Sequence, residues 1–497
     1  MYDKTLINQT HKNEIDFYKH QQFVARKNAE FINPENILDY IALDGYFALY
    51  KALTKMQPNE VIEEIKKSGL RGRGGAGFPT GTKWELTAKE KANKKYVVCN
   101  ADEGDPGAFM DRSIIESEPH KIVEAMLIAG YAVGASEGFV YLRAEYPLAG
   151  ERLEKAIEQA HKLGLLGKNI FGTKFSFNLS IKYGAGAFVC GEETALMHSL
   201  EGKRGEPRTR PPYPAQQGVF GCPTVLNNVE TFANIPTIIL NGGEWYSKIG
   251  KGTSTGTKVF ALSGKVKHTG LVELPMGTTL RDIIFNIGGG VLNNKKFKAV
   301  QIGGPSGACL PESKLDLPVT YDDLKNNGAM MGSGGLIVLD EDSSMVEVAK
   351  FFLEFICDES CGKCTPCRIG NRRLLEILNK LLAGNGTMED IDELETLSYF
   401  IKENSLCGLG QSSPNPVLST LKYFKDEYVA LVDKQHKNAD KYVINKEKCI
   451  GCSACSRVCP VKCISGEIKK PFEINQEKCI GCGGCKKTCK FGAIEKV

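Results

Sequence analysis

The sequence lacks the features that are typical of membrane-spanning, exported or nucleic-acid-binding proteins. No stretch of 18 uninterrupted apolar residues occurs, and residues 1–4 do not form a basic flank before an apolar segment. This pattern argues against a membrane-spanning helix or an export signal and favours a cytoplasmic protein. The charge imbalance is small too, because 63 basic and 59 acidic side chains leave a net charge of +4 over 497 residues. Such a balance does not indicate nucleic acid as a partner.

Cysteine is absent before Cys99, whereas the whole chain contains 18 cysteines. Because a reducing compartment keeps thiols free, a long chain without an export signal is not expected to use them as a disulfide framework. Metal ligation is the better interpretation of so many cysteines, and their spacing tests it.

The chain is long enough for several folding units, since 497 residues exceed the size of one ordinary domain. Its 42% hydrophobic and 25% charged residues are typical of a globular protein. Periodicity and turn signals divide it into a helical leader over 1–60, an α/β domain over 61–250, a small α+β insert over 251–340, a helical bundle over 341–433 and a cysteine-rich module over 441–497. The polar stretch 433–440 is predicted to be a linker.

The last segment is an internal duplication. The pattern C-x2-C-x2-C-x3-C begins at Cys449 and again at Cys479. Three thiolates of such a run bind three corners of a 4Fe-4S cubane, and in two-cluster ferredoxins the fourth cysteine of each run ligates the other cluster. This rule predicts one cluster held by Cys449, Cys452, Cys455 and Cys489, and a second held by Cys479, Cys482, Cys485 and Cys459. Zinc sites or disulfides are the alternatives.

A third cysteine run, formed by Cys361, Cys364 and Cys367, has the same x2 spacing, and Cys407 is the next cysteine along the chain. We predict that these four bind a third 4Fe-4S cluster, with a four-cysteine zinc site as the alternative. Six further cysteines are interpreted as buried or free thiols, since none except Cys357, which lies just before the third run, has a partner at ligand spacing. They are Cys99, Cys190, Cys222, Cys309, Cys357 and Cys463.

Three loops rich in glycine or acidic residues carry further signals. Residues 72–77 match G-x-G-x-x-G, but they follow a helical pattern and not the strand that a dinucleotide fingerprint requires. Residues 100–107 place three carboxylates within four positions after an apolar strand, as a solvated turn or a metal loop would. Residues 183–194 turn from a strand into a helix whose first amides can bind an anion. Each loop taken alone leaves a purely structural role open.

Together with the iron-sulfur runs, these loops resemble the flavin- and NADH-binding subunit of complex I and its soluble relatives, including the β subunit of electron-bifurcating iron hydrogenases. The matching segments are residues 72–84, 100–107, 191–197 and 227–231 and the Cys361 run, in the family's order. The resemblance implies an α/β multidomain fold. Its parts would be a Rossmann-like FMN and NADH domain, a ubiquitin-like insert of the β-grasp type, a helical 4Fe-4S bundle and a two-cluster ferredoxin domain.

The resemblance also implies which residues bind the cofactors. FMN would be surrounded by Gly72, Arg73, Gly74, Gly75, Lys83, Asn100, Asp102, Glu103, Gly191, Glu192, Asn227, Asn228 and Thr231. NADH would contact Phe78, Asp105, Glu193, Arg210 and Tyr213. Arg210 stands where the respiratory subunit has lysine and Asp105 where it has glutamate, so NADP(H) is an alternative substrate. No side chain is expected to be catalytic, because FMN performs the chemistry.

The function implied is that of an oxidoreductase subunit in which FMN exchanges hydride with NAD(H) and passes single electrons to 4Fe-4S clusters. The duplicated tail is absent from the respiratory subunit and is similar to the ferredoxin extension of hydrogenase and formate dehydrogenase relatives. We predict a hetero-oligomeric, electron-bifurcating hydrogenase complex that links NAD(H), ferredoxin and hydrogen. Its thioredoxin-like 2Fe-2S domain would belong to another subunit, since no cysteine precedes Cys99, and a hydrogenase or other iron-sulfur catalytic subunit would complete it.

Two other functions fit the same motifs. The first is the diaphorase subunit of an NAD-dependent formate dehydrogenase or of an NADP-linked hydrogenase, which shares the nicotinamide chemistry and differs in its terminal partner. The second is a non-catalytic electron relay whose nicotinamide pocket is no longer used.

Overall fold

The computed structural model describes residues 16–438, 441–476, 478–479 and 481–496. Three helices lie within the predicted leader, namely α1 (Asp16–Lys19), α2 (Ile37–Ala42) and α3 (Phe47–Lys55). The part of the predicted leader before residue 16 lies outside the described residues. The leader is fixed to the rest of the chain by Glu273, whose buried carboxylate accepts the backbone N–H groups of residues 24–26 at 2.7–2.9 Å.

The next unit is built on a four-stranded parallel sheet. Its strands are β1 (Tyr96–Ala101), β2 (Glu137–Arg143), β3 (Asn178–Gly184) and β4 (Thr224–Asn228), in the order β3-β2-β1-β4. The helices around it are α4 (Pro58–Ser68), α5 (Thr80–Lys89), α6 (Met110–Ser117), α7 (Pro119–Val133), α8 (Pro147–Lys162), α9 (Glu193–Leu200), α10 (Val229–Asn241) and α11 (Gly243–Ser247). Helix α7 is buried along nearly its whole length, because most of its residues are apolar or small. Its buried polar side chains His120, Lys121 and Glu124 form hydrogen bonds with Tyr46, Ala25 and Tyr40 of the leader.

A second, mixed sheet follows. After the short strands β5 (Gly250–Lys251) and β6 (Ser254–Thr255), it consists of β7 (Thr257–Gly264), β8 (Gly270–Pro275), β9 (Phe297–Ile302), β10 (Ala308–Pro311) and β11 (Gly335–Asp340), in the order β10-β9-β11-β7-β8. Strands β7 and β11 are parallel and the other pairs antiparallel. A π-helical turn (Asp282–Ile287) and α12 (Tyr321–Asn326) complete this unit, as the α+β prediction for 251–340 requires.

A helical bundle packs next to both sheets. It consists of α13 (Met345–Glu359), a π-helical turn (Pro366–Gly370), α14 (Asn371–Leu382), α15 (Met388–Asn404), α16 (Gly408–Ser412) and α17 (Asn415–Asn438). The helical spacing of the leucines in α14 places Leu374, Leu378 and Leu381 in the bundle core. Helix α17 continues to Asn438 and therefore runs into the stretch predicted to be a linker.

The C-terminal segment has little regular structure. Its elements are β12 (Tyr442–Ile444), α18 (Ala454–Arg457), β13 (Ile464–Ser465), β14 (Glu473–Ile474), α19 (Gly484–Thr488) and β15 (Ile494–Lys496), with β12 paired to β15 and β13 to β14. Within the described part of the chain, no helix combines the length and the apolar character needed to cross a membrane.

Candidate functional site

The carboxyl edge of the parallel sheet brings polar residues of two strands together. Asn100 lies near the end of β1, Asn228 ends β4, and the two are partners in the ladder. The strand order reverses at β1, since β2 and β3 lie on one side of it and β4 on the other. Ligands of open parallel sheets bind in the crevice at such a reversal. This edge is therefore the candidate cofactor site.

The glycine loop at residues 72–77 lies against this edge. A Cβ on Gly74 would lie 3.1 Å from the Cβ of Asn228, and a Cβ on Gly75, where φ is +123°, would lie 3.2 Å from the Cα of Gly332. A larger residue would strain the loop or push it off β4. The loop follows α4, as predicted, and so is not a strand-to-helix dinucleotide loop. Its close backbone approach suits a flat ring or a phosphate.

Lys83 of α5 reaches the same edge. Its ammonium donates to a backbone carbonyl of β4 at 3.0 Å and lies 3.4 Å from Glu193 Oε2. The other oxygen of Glu193 pairs with Arg210 at 2.7 Å, so three charges are linked in one row. Phe78 and Tyr213, the predicted NADH contacts, are 48% and 54% exposed, which leaves both rings accessible to a planar ligand.

Other predicted flavin residues hold one another in place. Asn227 accepts a hydrogen bond from the indole N–H of the fully buried Trp84 at 2.8 Å, and Asn100 donates to the carbonyl of Gly191 at 3.1 Å. A Cβ on Gly191 would meet no atom within 4 Å, so open space borders this turn. Glu192 caps α9, where its carboxylate accepts two backbone N–H groups at 2.9 and 3.0 Å.

The side chain of Arg73 is occupied within the protein. Its backbone N–H donates to Thr231 Oγ1 at 2.8 Å, whereas its buried guanidinium donates to the hydroxyl of Tyr246 and to the carbonyls of Arg71, Thr255 and Thr257. These bonds attach the glycine loop to the segment that leads into the second sheet. Arg73 thus fixes the position of the glycine loop, and Thr231 helps to hold the loop by accepting the hydrogen bond from its backbone.

The surroundings of Asp102 indicate whether the carboxyl edge of the parallel sheet fits FMN. Its side chain is 6% exposed, and neither carboxylate oxygen has a hydrogen-bond partner among the described residues. Burial raises its pKa to about 6. A buried carboxylate without donors costs free energy, and the hydroxyl groups of a flavin ribityl chain are donors that would satisfy it. The residues present therefore fit FMN.

Glu103 and Asp105 bond to protein groups. Glu103 accepts three backbone N–H groups at the start of α6, at 2.9–3.2 Å, and burial raises its pKa to about 7. Asp105 accepts a hydrogen bond from Ser333 and lies beside Gly304, and burial raises its pKa. Asp105 thus lies where the two sheet units meet, and its side chain contacts the second unit.

Sequence reasoning missed two residues that hold the edge. Asp111 accepts from the side-chain amide of Asn228 and from the backbone N–H of Glu230, and burial raises its pKa well above the usual range. It had no sequence signal, because it lies in the first turn of an ordinary amphipathic helix. Trp84 did have one, since it belongs to the matched motif and is one of two tryptophans in the chain.

The four cysteines predicted for the third cluster line one pocket. Cys361, Cys364, Cys367 and Cys407 surround it with Val189, Pro207, Ser360, Lys363, Leu406 and Leu409. Cys367 lies in the π-helical turn, where the side-chain N–H of Asn371 donates to its sulfur at 3.4 Å and the hydroxyl of Ser360 lies 3.2 Å away. Val189 and Pro207 belong to the unit of the parallel sheet, which we call the flavin unit for the cofactor predicted at its edge, so the pocket adjoins the turn that ends at Gly191.

The arrangement of these thiols bears on the zinc alternative. A zinc ion brings its four sulfurs to about 2.3 Å from one point, whereas a cubane spreads its ligands over four corners. Across the ranges that the structure describes, no three His, Cys, Asp or Glu side chains are placed to hold a single ion. The four cysteines surround one pocket, and the x2 spacing of three of them is typical of a cluster-binding run.

Two further pockets, which we call the first and second tail pockets, divide the remaining predicted ligands. Cys449, Cys452, Cys455 and Cys489 line the first, and Cys459, Cys479, Cys482 and Cys485 line the second. Each pocket takes its fourth cysteine from the other half of the duplication, as the sequence rule predicts. The six other cysteines, all within the described ranges, are free thiols, yet Cys463 also lines the second tail pocket and so does not lie apart from the cluster sites.

Comparisons with known families match this architecture unit by unit. Residues 65–237 match the Nuo51 FMN-binding domain, 259–309 an SLBB domain, 347–431 the NADH-ubiquinone oxidoreductase-F iron-sulfur binding region and 441–490 a 4Fe-4S dicluster domain.

Full-length relatives extend the match. The chain is 59% identical over 459 residues to the NADP-reducing hydrogenase protein HndC of Solidesulfovibrio fructosivorans, covering 91% of this chain and 93% of HndC. It is 47% identical over 402 residues to the F protein of the NADH-quinone oxidoreductase of Aquifex aeolicus, covering 81% and 92%. A crystal structure of an NAD+-reducing [NiFe]-hydrogenase in the H2-reduced state superposes with a TM-score of 0.73 at 35% identity, covering 83% of this chain and 67% of that one.

A flavin domain joined to iron-sulfur domains defines a dehydrogenase-type oxidoreductase subunit. The chain belongs to the family of NADH-quinone oxidoreductase F proteins and the related hydrogenase subunits.

Proposed function

We propose that FMN binds at the β1–β4 edge, exchanges hydride with a nicotinamide nucleotide, and is linked through three 4Fe-4S clusters to an iron-sulfur partner. The observation that carries the proposal is the turn at Phe188–Gly191. Gly191 accepts a hydrogen bond from Asn100 at the flavin edge, while Val189 lines the pocket of the Cys361 cluster. One short turn thus borders both redox sites.

FMN, when bound, supplies the conversion between the two-electron chemistry of nicotinamide and the one-electron chemistry of iron-sulfur clusters. The chain's own residues position the reactants. Lys83 places a positive charge at the edge, where an anionic group of the cofactor would be stabilised, and the amides of the glycine loop present donors. Trp84 orients Asn227, and Asp111 orients Asn228, so both side-chain amides are fixed before the cofactor arrives.

The nucleotide is proposed to lie between Phe78 and Tyr213, beside the row formed by Lys83, Glu193 and Arg210. Arg210 is proposed to determine whether the site binds NAD(H) or NADP(H). Its guanidinium can leave Glu193 and bind a ribose 2′-phosphate in a bidentate manner, which lysine cannot do. The relative HndC is named for NADP reduction, so we propose that both nucleotides are accepted.

The tail clusters are proposed to form the branch that meets the partner. Cys452 and Cys482 are exposed at the two tail pockets, so both sites are accessible from solvent. The partner is proposed to be a ferredoxin or the catalytic subunit of a hydrogenase, with a 2Fe-2S thioredoxin-like subunit in the same hetero-oligomer. Coupled, bifurcating use of both partners is part of this proposal. A formate dehydrogenase partner is the second candidate, because the family's diaphorase chemistry is compatible with it.

The flavin site is tested with the chain reconstituted with FMN and clusters under anaerobic conditions. We expect NADH to bleach the flavin absorbance and to support dye reduction. Lys83→Ala should lower the dye rate at least about tenfold, because loss of a charge-assisted contact costs about 1.5–3 kcal/mol. Lys89→Ala on the same helix, where Lys89 pairs with Glu85 at the surface, is the matched control and should be neutral. A loaded chain that NADH leaves oxidised would support the non-catalytic relay instead.

The partner is tested with the assembled complex. We expect hydrogen to reduce NAD(P) only when oxidised ferredoxin is present, with both acceptors reduced together. Reduction of NAD(P) by hydrogen without ferredoxin would contradict bifurcation and would leave a simple diaphorase. Reduction by formate and not by hydrogen would identify the second candidate.

A further inference from the structure

The two tail pockets can be compared position by position, because the duplication relates them by a constant shift from Cys449 to Cys479. Every lining residue of the second pocket has its shifted equivalent in the lining of the first, and the four ligand cysteines are the same in both. The thiol content differs at one pair, where Cys463 of the second pocket is replaced by Ala493 in the first. The second pocket therefore contains five thiols and the first contains four.

Cys463 lies close to a predicted ligand. Its sulfur is 3.4 Å from the sulfur of Cys459, and its backbone N–H also donates to that sulfur at 3.4 Å. The side chain is 5% exposed and lines the pocket. A thiol in this position would lie close to the iron that Cys459 is proposed to bind, and it is shielded from solvent.

We propose that Cys463 is a reserve ligand of the second tail cluster, able to bind the iron of Cys459 when Cys459 is lost. In that event the thiol of Cys463 releases its proton to water and forms one Fe–S bond in place of the bond that Cys459 made. No electron is transferred, and the cluster keeps four thiolate ligands. The first tail pocket has no such reserve among its described lining residues, since Ala493 occupies the equivalent position.

The test uses the matched halves of the tail in the full chain. Cys459→Ala and Cys489→Ala each remove the crossed ligand of one pocket. We expect Cys459→Ala to keep both tail clusters, about four iron atoms per chain more than Cys489→Ala. The double variant with Cys463→Ala should fall to the level of Cys489→Ala, and Ala493→Cys in the Cys489→Ala background should restore the missing cluster. Iron and sulfide analysis and the electron paramagnetic resonance of the reduced chain report cluster content without any activity measurement.

Equal loss of a cluster in Cys459→Ala and Cys489→Ala would overturn the proposal, and so would retention in Cys459→Ala that persists when Cys463 is also removed. The inference rests on the proposed pair of tail clusters. If the unaltered chain contains no cluster in its tail, the assignment of the tail clusters is wrong. If the unaltered chain contains two tail clusters and Cys459→Ala contains one, only the proposal of a reserve ligand is refuted. Retained dye reduction by the flavin unit shows that each variant is folded outside the tail.

Discussion

The flavin unit and the tail are held together by different means. The flavin unit encloses a large apolar core and, at its contact with the second sheet, an ion pair between Lys258 and Glu230 whose side chains are 0% and 1% exposed. The tail has a cluster of seven buried apolar residues, and Cys455, Cys463 and Cys485 are three of them. Its ion pairs, such as Lys446 with Glu473, lie at the surface. A segment this small depends on bound metal for much of its stability.

The largest expected effect follows from removing iron. Anaerobic chelation should leave residues 441–497 open to proteolysis, because the predicted cluster ligands Cys455 and Cys485 are part of the small core of the tail. The flavin unit should stay protected. Limited proteolysis followed by mass spectrometry measures both regions in one sample. Simultaneous loss of both regions would show that the tail is structural to the flavin unit.

The buried ion pair gives the next largest effect. Glu230→Ala leaves Lys258 charged and unpaired in the interior and also removes the acceptor of the Val259 backbone N–H, at 2.8 Å. We expect a loss of about 3–5 kcal/mol in the free energy of unfolding. Chemical denaturation monitored by flavin and tryptophan fluorescence measures it. A loss below about 1 kcal/mol, the range of exposed pairs, would mean that solvent reaches this pair.

The pH dependence should have opposite signs in the two regions. Burial raises the pKa of Asp102 to about 6 from an ordinary value of 3.8, so the folded state binds this proton more tightly than the unfolded state. Its contribution therefore favours folding at low pH and is lost as the pH rises from about 4 to about 6, by roughly 3 kcal/mol. In the tail, Lys446 lowers the pKa of Glu473, so that contribution is lost as the pH falls.

Asp102→Asn isolates the first of these contributions. In the flavin-free chain it should flatten the stability profile between about pH 4 and pH 6, and in the loaded chain it should weaken FMN binding. Asp342→Asn, an exposed substitution on the second unit, is the control for altered net charge. Unfolding midpoints measured across that pH range check the prediction, and an unchanged profile in Asp102→Asn would contradict it.

The smallest effect is expected at the surface of the tail. Glu473→Ala removes a pair in which both side chains are about two-thirds exposed, and such pairs contribute about 0–1 kcal/mol. Thermal unfolding of the loaded tail should be almost unchanged. A loss of stability comparable to that of Glu230→Ala would mean that a surface ion pair stabilises the tail as strongly as the buried pair stabilises the flavin unit.

The sequence can predict which cysteines group together, because ligand spacing is a local property. The runs at Cys361, Cys449 and Cys479 are each predicted to supply three ligands, and the crossing rule predicts the fourth in the tail, where the two pockets group the cysteines in the same way. Cys463 could not be recognised by that rule. Its proximity to Cys459 depends on a turn whose geometry no spacing rule describes.

The flavin edge was predictable in its motifs but not in the direction of each side chain. Arg73 belongs to the glycine motif, yet its guanidinium bonds to Tyr246 and to backbone carbonyls, because the segment at residues 255–257 passes next to it. Asp105 likewise bonds to Ser333, which lies 228 positions further along the chain. The orientation of both side chains depends on contacts between units that are distant in sequence, and the periodicity of the sequence does not predict such contacts.

The carboxylate of Glu273 determines where a fragment of this protein can begin. It is fully buried and receives the amides of residues 24–26 together with the hydroxyl of Thr257 at 2.6 Å. A fragment that starts after Arg26 would keep only the last of these donors, and its interior would contain a poorly solvated negative charge. Residues 24–26 are therefore needed for the chain to fold, although none of the predicted redox-site residues lies in the leader.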